Sequence, residues 1–86
     1  MPEICRFFGI VITVNFNDHN PPHFHARYGS ADALFTMDPV ALYAGELPPR
    51  AIGMVTEWAS QHRRELLENW KLARETKPLN RIAPLE

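Results

Sequence analysis

The sequence predicts an α+β fold, an antiparallel meander of four or five short strands packed on one long C-terminal helix, and three observations predict it. Apolar and polar residues alternate through the first half, the period of strands with one buried face. The runs are short and bounded by Gly, Pro, Asn and Asp, too closely spaced for the crossovers that parallel pairing needs. Through the second half apolar residues recur at every third or fourth position, the period of a helix.

A leading strand is expected over Ile4–Phe8, with Gly9 letting the chain bend or bulge into the next. In the run 10–16, Ile10, Ile12, Val14 and Phe16 fall on one face and Val11, Thr13 and Asn15 on the other. A third strand, His23–Tyr28, carries Phe24, Ala26 and Tyr28 on its apolar side and His23, His25 and Arg27 opposite. Gly29-Ser30 signals a hairpin into Ala31–Met37, and Asp38-Pro39 a turn into Val40–Ala44. The helical stripe is Ile52, Val55, Ala59, His62, Leu66, Trp70 and Ala73. Pro49 suits a first helical turn, and Pro78 lies past the end. One helix over about 49–75 would run about 40 Å. Met54, Trp58 and Leu72 widen the stripe to one side, which suits either core packing or a dimer contact. The expected organisation is one domain, 1–86, with strands at about 3–45, the helix at about 49–75 and a tail, 76–86, that docks back or frays.

With 45% hydrophobic and 22% charged residues the composition is that of a globular protein. Eighty-six residues bury a modest core, so a protein partner or a homodimer is expected. A single cysteine, Cys5, excludes an intramolecular disulfide and a four-cysteine zinc site, and points to a reducing, cytoplasmic setting. No apolar run has membrane-spanning length, and the first residues lack a signal-peptide pattern, so no membrane association is expected. A net charge of −1 excludes a bulk polyanion binder, which leaves RNA as a partner only through a local site.

Candidate chemistry is concentrated in Asp18-His19-Asn20-Pro21-Pro22-His23-Phe24-His25, which holds three of the four histidines. The proline pair fixes its own φ angles and stiffens the segment around them. If the helix covers one face of the sheet, strict alternation sends His23, His25 and Arg27 to the open face, with His19 arriving from the loop. Three readings follow. His19, His23 and His25 would supply three ligands to zinc with a fourth position open, Asp18 serving as a further ligand or as a hydrogen-bonding neighbour. A histidine pair would exchange protons on a phosphodiester while Arg27 holds the phosphate. Or the prolines and histidines simply shape a loop or a partner interface. Cys5 among apolar neighbours and His62 on the helical stripe read as buried structural residues.

The string Asp18-His19-x-Pro21-Pro22-His23-x-His25, followed by Gly45-x-Leu47-Pro48, Glu57-Trp58 and Glu65-Leu66-Leu67-x-Asn69-Trp70, resembles the small bacterial family catalogued as domain of unknown function 4160. The resemblance runs from Met1-Pro2 to the end of the last helix. It implies a small, standalone cytoplasmic protein and brings no established activity, cofactor or catalytic residue. Members are often encoded beside another small protein, which invites comparison with toxin–antitoxin pairs. Asp18 stands where the family pattern has glutamate, and its shorter reach argues against direct metal ligation. The expected function is a binding module with a histidine-rich sheet-face site, acting with a protein or RNA partner. The alternative is a histidine-centred, metal-dependent hydrolase or nuclease. Convergence of the histidines separates the two.

Overall fold

A computed structural model describes residues 2–86 as five strands followed by two helices. The strands are β1 (Glu3–Phe7), β2 (Ile10–Thr13), β3 (His23–Tyr28), β4 (Ala31–Met37) and β5 (Val40–Glu46), and all neighbours pair antiparallel in the order β1-β2-β3-β4-β5. This is the expected meander. Phe8 and Gly9, with φ of 49° and 80°, form a two-residue turn rather than a bend, so β1 and β2 are a tight hairpin. Two positive φ angles match the right-handed twist of the strands, and glycine adopts one of them without strain. β3 and β4 occupy the expected residues, whereas β2 stops at Thr13, three residues short of Phe16.

The expected single helix is two: α1 (Pro49–Gln61) and α2 (Arg63–Arg74). His62 leaves helical geometry, at φ −123° and ψ 25°, and its carbonyl accepts the first hydrogen bond of α2, from Leu66 N–H at 2.9 Å. A straight helix of about 40 Å would overhang a molecule whose longest dimension is 33 Å. The break lets both halves of the apolar stripe lie on one small sheet. No helix among the described residues is long and apolar enough to cross a membrane.

The inner face of the sheet supplies Ile10, Ile12, Phe24, Ala26, Ala33, Phe35 and Met37 to one core, closed by Val55, Trp58, Leu66 and Trp70 of the helices. Phe24 and Phe35, directly opposite in the register, stack at 5.4 Å, and Trp58 meets Phe24 edge-on at 6.0 Å. Trp58 is wholly buried and donates its indole N–H to Ala83 O at 2.8 Å. It is a core anchor, which removes it as a dimer contact. Phe16 and Tyr28, expected beneath the helix, are exposed: Phe16 lies past the end of β2, and Tyr28 ends β3 at the rim beside Arg50 and Met54 of α1.

The tail docks. Asn69 of α2, fully buried, donates to Asn80 O and accepts from Asn80 N–H, each at 2.9 Å. Ile82 N–H then donates to Ile4 O of β1 at 2.9 Å. The tail thereby covers one edge of the sheet, which would otherwise present unpaired backbone groups. The opposite edge, β5, has Leu42 and Tyr43 exposed.

Candidate metal centre

The loop between β2 and β3 is tied down along its length. Val14 N–H donates to Pro2 O, Asn17 N–H to Ala73 O at the end of α2, and Arg74 reaches Asn20 Oδ1 at 3.5 Å. Asp18 then fixes its own turn, its Oδ1 accepting from His19 N–H at 2.9 Å, as short carboxylates do beside a turn. Its second oxygen is turned to the start of β3. Asp18 Oδ2 lies 2.9 Å from His23 Nε2 and 3.7 Å from His25 Nε2. These three donor atoms all lie within 4.8 Å of one another.

His23 and His25 alternate with Phe24 and share the outer side of β3, as expected, but their surroundings differ. His25 is half-buried, beside Thr13 across the β2–β3 pair. His23, expected on an open face, is only 6% exposed. The β2–β3 loop closes over that end of the sheet, and the His23 ring packs against Trp70 at 5.2 Å between centroids. His19 is exposed and stands outside the convergent group. The donor set is therefore Asp18, His23 and His25, with Asp18 in the place expected of His19. The signal for it was the turn-forming position itself, which leaves one carboxylate oxygen free.

Hydrogen bonding defines which ring atoms face the centre. Pro21 O lies 2.9 Å from His23 Nδ1, and a carbonyl can only accept, so that nitrogen carries a proton. In the neutral ring His23 Nε2 is then a lone pair facing a carboxylate at 2.9 Å. Two acceptors at that distance need a proton or a cation between them. Asn15 Nδ2 lies 3.1 Å from His25 Nε2 and donates to it, so this second ring also turns its Nε2 lone pair inward. Burial is the largest single influence on the Asp18 carboxyl and acts to raise its pKa. The His19 N–H, the charge of His23 and hydrogen bonds from His23 and Asn15 outweigh it, and hold Asp18 below the ordinary aspartate value. The carboxyl is thus kept anionic, as a ligand must be.

Ligand atoms about 2.1 Å from a tetrahedral ion stand about 3.4 Å apart. The two Asp18–histidine separations, 2.9 and 3.7 Å, bracket that value, and all three donor atoms lie within 4.8 Å of one another. Two imidazoles and a carboxylate suit zinc or another divalent first-row metal and leave at least one coordination position open. The His23 Nδ1–H to Pro21 O bond is the backing such a ligand receives in metal sites.

Arg27 lies two residues beyond His25 on the same side of β3, exposed and without an ion pair among the described residues. It lines a trough of about 270 Å³ on the outer sheet face with Arg6, Thr13, His25 and Asp32. Arg6 is held by Glu3 at 2.8 Å. His25 belongs to both the trough and the donor cluster, so an open metal position would adjoin the trough.

No curated protein and no solved structure shows significant similarity to the chain. Residues 9–71, well over half of the 86, match the family described as a domain of unknown function, DUF4160, and that span contains every residue of the candidate centre. The chain belongs to this family.

Proposed function

We propose that this protein is a metal-binding module in which Asp18, His23 and His25 hold a divalent transition metal, zinc by preference, at the end of the outer sheet face. The observation that carries the reading is the convergence of an Asp18 carboxylate oxygen and one ring nitrogen each of His23 and His25 within 4.8 Å of one another. The open coordination position faces the trough lined by Arg27, which suits a ligand or partner bearing an anionic group. The hydrolase alternative uses the same ion with a bound water in the open position.

Metal analysis and zinc titration calorimetry on protein purified without a histidine tag test this. About one zinc per chain, lost in His23→Ala and in His25→Ala, is expected. Protein that binds no zinc, cobalt or manganese at micromolar concentration overturns it.

Association with a second copy has its own observation. The β1 edge is covered by the tail, whereas β5 leaves a free edge with Leu42 and Tyr43 exposed. Sedimentation of the wild type beside Tyr43→Lys reads this out, with a dimer reduced to a monomer as the expected result.

A further inference from the structure

Asn15 lies two residues past the end of β2, with its amide against the donor cluster. Its Nδ2 lies 3.1 Å from His25 Nε2. The other end of the same amide, Oδ1, is buried and makes no hydrogen bond. An amide with its donor end in a cluster of acceptors and its acceptor end buried without a partner suits the metal-free cluster only. Buried carbonyl groups ordinarily have a partner, so the unpaired Oδ1 asks for a reason.

A cation at the centre inverts these preferences. The His25 Nε2 lone pair then goes to the ion and no longer accepts from Asn15. The N–H groups of the amide would point at positive charge. Rotation of the amide by half a turn about its Cβ–Cγ bond exchanges the two ends, at no cost in shape, because O and NH₂ are nearly the same size. The oxygen then occupies a position about 3.1 Å from His25 Nε2, the distance now held by the nitrogen. Two ligands about 2.1 Å from one ion stand about 3.0 Å apart in octahedral and about 3.4 Å in tetrahedral geometry.

We infer that Asn15 is the fourth protein ligand of the centre, its Oδ1 swung onto the metal as the ion enters beside Asp18, His23 and His25. The inference rests on the metal-binding reading above and extends it. The protein's set is then two imidazole nitrogens, a carboxylate oxygen and an amide oxygen, and the position toward the trough stays open in five- or six-coordinate geometry. That set suits zinc, manganese and iron(II) rather than soft copper(I). The rotation also gives the unpaired buried oxygen the partner it lacks.

The test is zinc titration of wild type, Asn15→Ala and Asn15→Asp by calorimetry, with the side-chain NH₂ resonances of Asn15 followed in ¹H–¹⁵N spectra. Asn15→Ala is expected to bind zinc at least tenfold more weakly, with an unchanged melt in chelator. Asn15→Asp, which presents oxygen at either end of the group, is expected to bind at least as tightly as wild type. The Asn15 NH₂ pair is expected to shift on zinc addition. Wild-type affinity in Asn15→Ala, with unmoved NH₂ resonances, overturns the inference and leaves the three-ligand centre standing. Absence of zinc binding by the wild type overturns both. Should Asn15→Ala fail to fold, the Asp variant and the NH₂ shift decide.

Discussion

The imidazole of His23 lies 5.2 Å from the indole of Trp70, centroid to centroid, so the helix that closes the core is also the wall behind the candidate centre. Trp70 is buried with Leu66 and Ala73 on the inner face of α2. Replacing it by alanine leaves a cavity in the core and removes the surface that holds the His23 ring. Trp70→Ala is expected to cost about 3–5 kcal/mol, read by urea denaturation. Trp70→Phe keeps an aromatic face and should cost less, while retaining zinc.

Asn69 is the polar counterpart of Trp70 one residue earlier on α2. Its two hydrogen bonds to the Asn80 backbone clamp the tail, and they come from a side chain that is itself fully buried. Asn69→Ala is expected to cost about 2 kcal/mol, since two bonds worth about 1 kcal/mol each are lost. Increased proteolysis of residues 79–86, with the rest of the chain intact, would show the clamp released.

The strands were legible in the sequence because alternation is local. β3 and β4 lie over the residues where a covered face predicted them. The helix break was not legible, because the stripe runs on unbroken through Ala59, His62 and Leu66, and only the breadth of the sheet makes a bend necessary. The docked tail depends on residues far apart in the chain, such as Arg81 with Glu3, and no periodic pattern records that pairing. In the site, alternation correctly put His23 and His25 on one side of β3. It could not show which loop residue completes the group, since that depends on how Asn17 and Asn20 are tied to the end of α2. Asp18 rather than His19 faces inward for that reason.

Glu3 couples the tail to β1. Hydrogen bonds from Arg6 and then Arg81 hold its carboxyl below the ordinary glutamate value of 4.5. A depressed pKa means the interaction is fully present above that ordinary value and is lost as the pH falls through the lower one. Protection of the Ile82 amide from exchange should therefore persist to pH 4.5 and decline below it. Glu3→Gln should show weaker protection throughout, without that decline.

Cys5 is buried, and burial, the first of its influences, pushes its thiol pKa up. Thiolate is therefore scarce at neutral pH, and the sulfur is shielded as well. Iodoacetamide is expected to leave the folded protein unmodified over hours and to alkylate it quickly in urea. Rapid labelling of the native chain would place Cys5 at an accessible edge.

Metal binding should be visible as stability, because an ion that binds only the folded chain shifts unfolding by mass action. At a free concentration about 100-fold above Kd the gain is about 2.7 kcal/mol. In a chain of this size that raises Tm by about 10–20 °C. Chelator should reverse the rise, and acidification should erase it as protons replace the ion on the imidazoles. The variants divide by geometry. Asp18→Ala and His25→Ala remove donor atoms of the cluster and should lose the zinc-dependent rise. His19→Ala should keep it in full, since His19 is exposed and outside the group. Loss of the rise in His19→Ala would mean that the loop turns over to bring His19 in as a ligand. The donor set would then be the three histidines that the sequence pattern suggests.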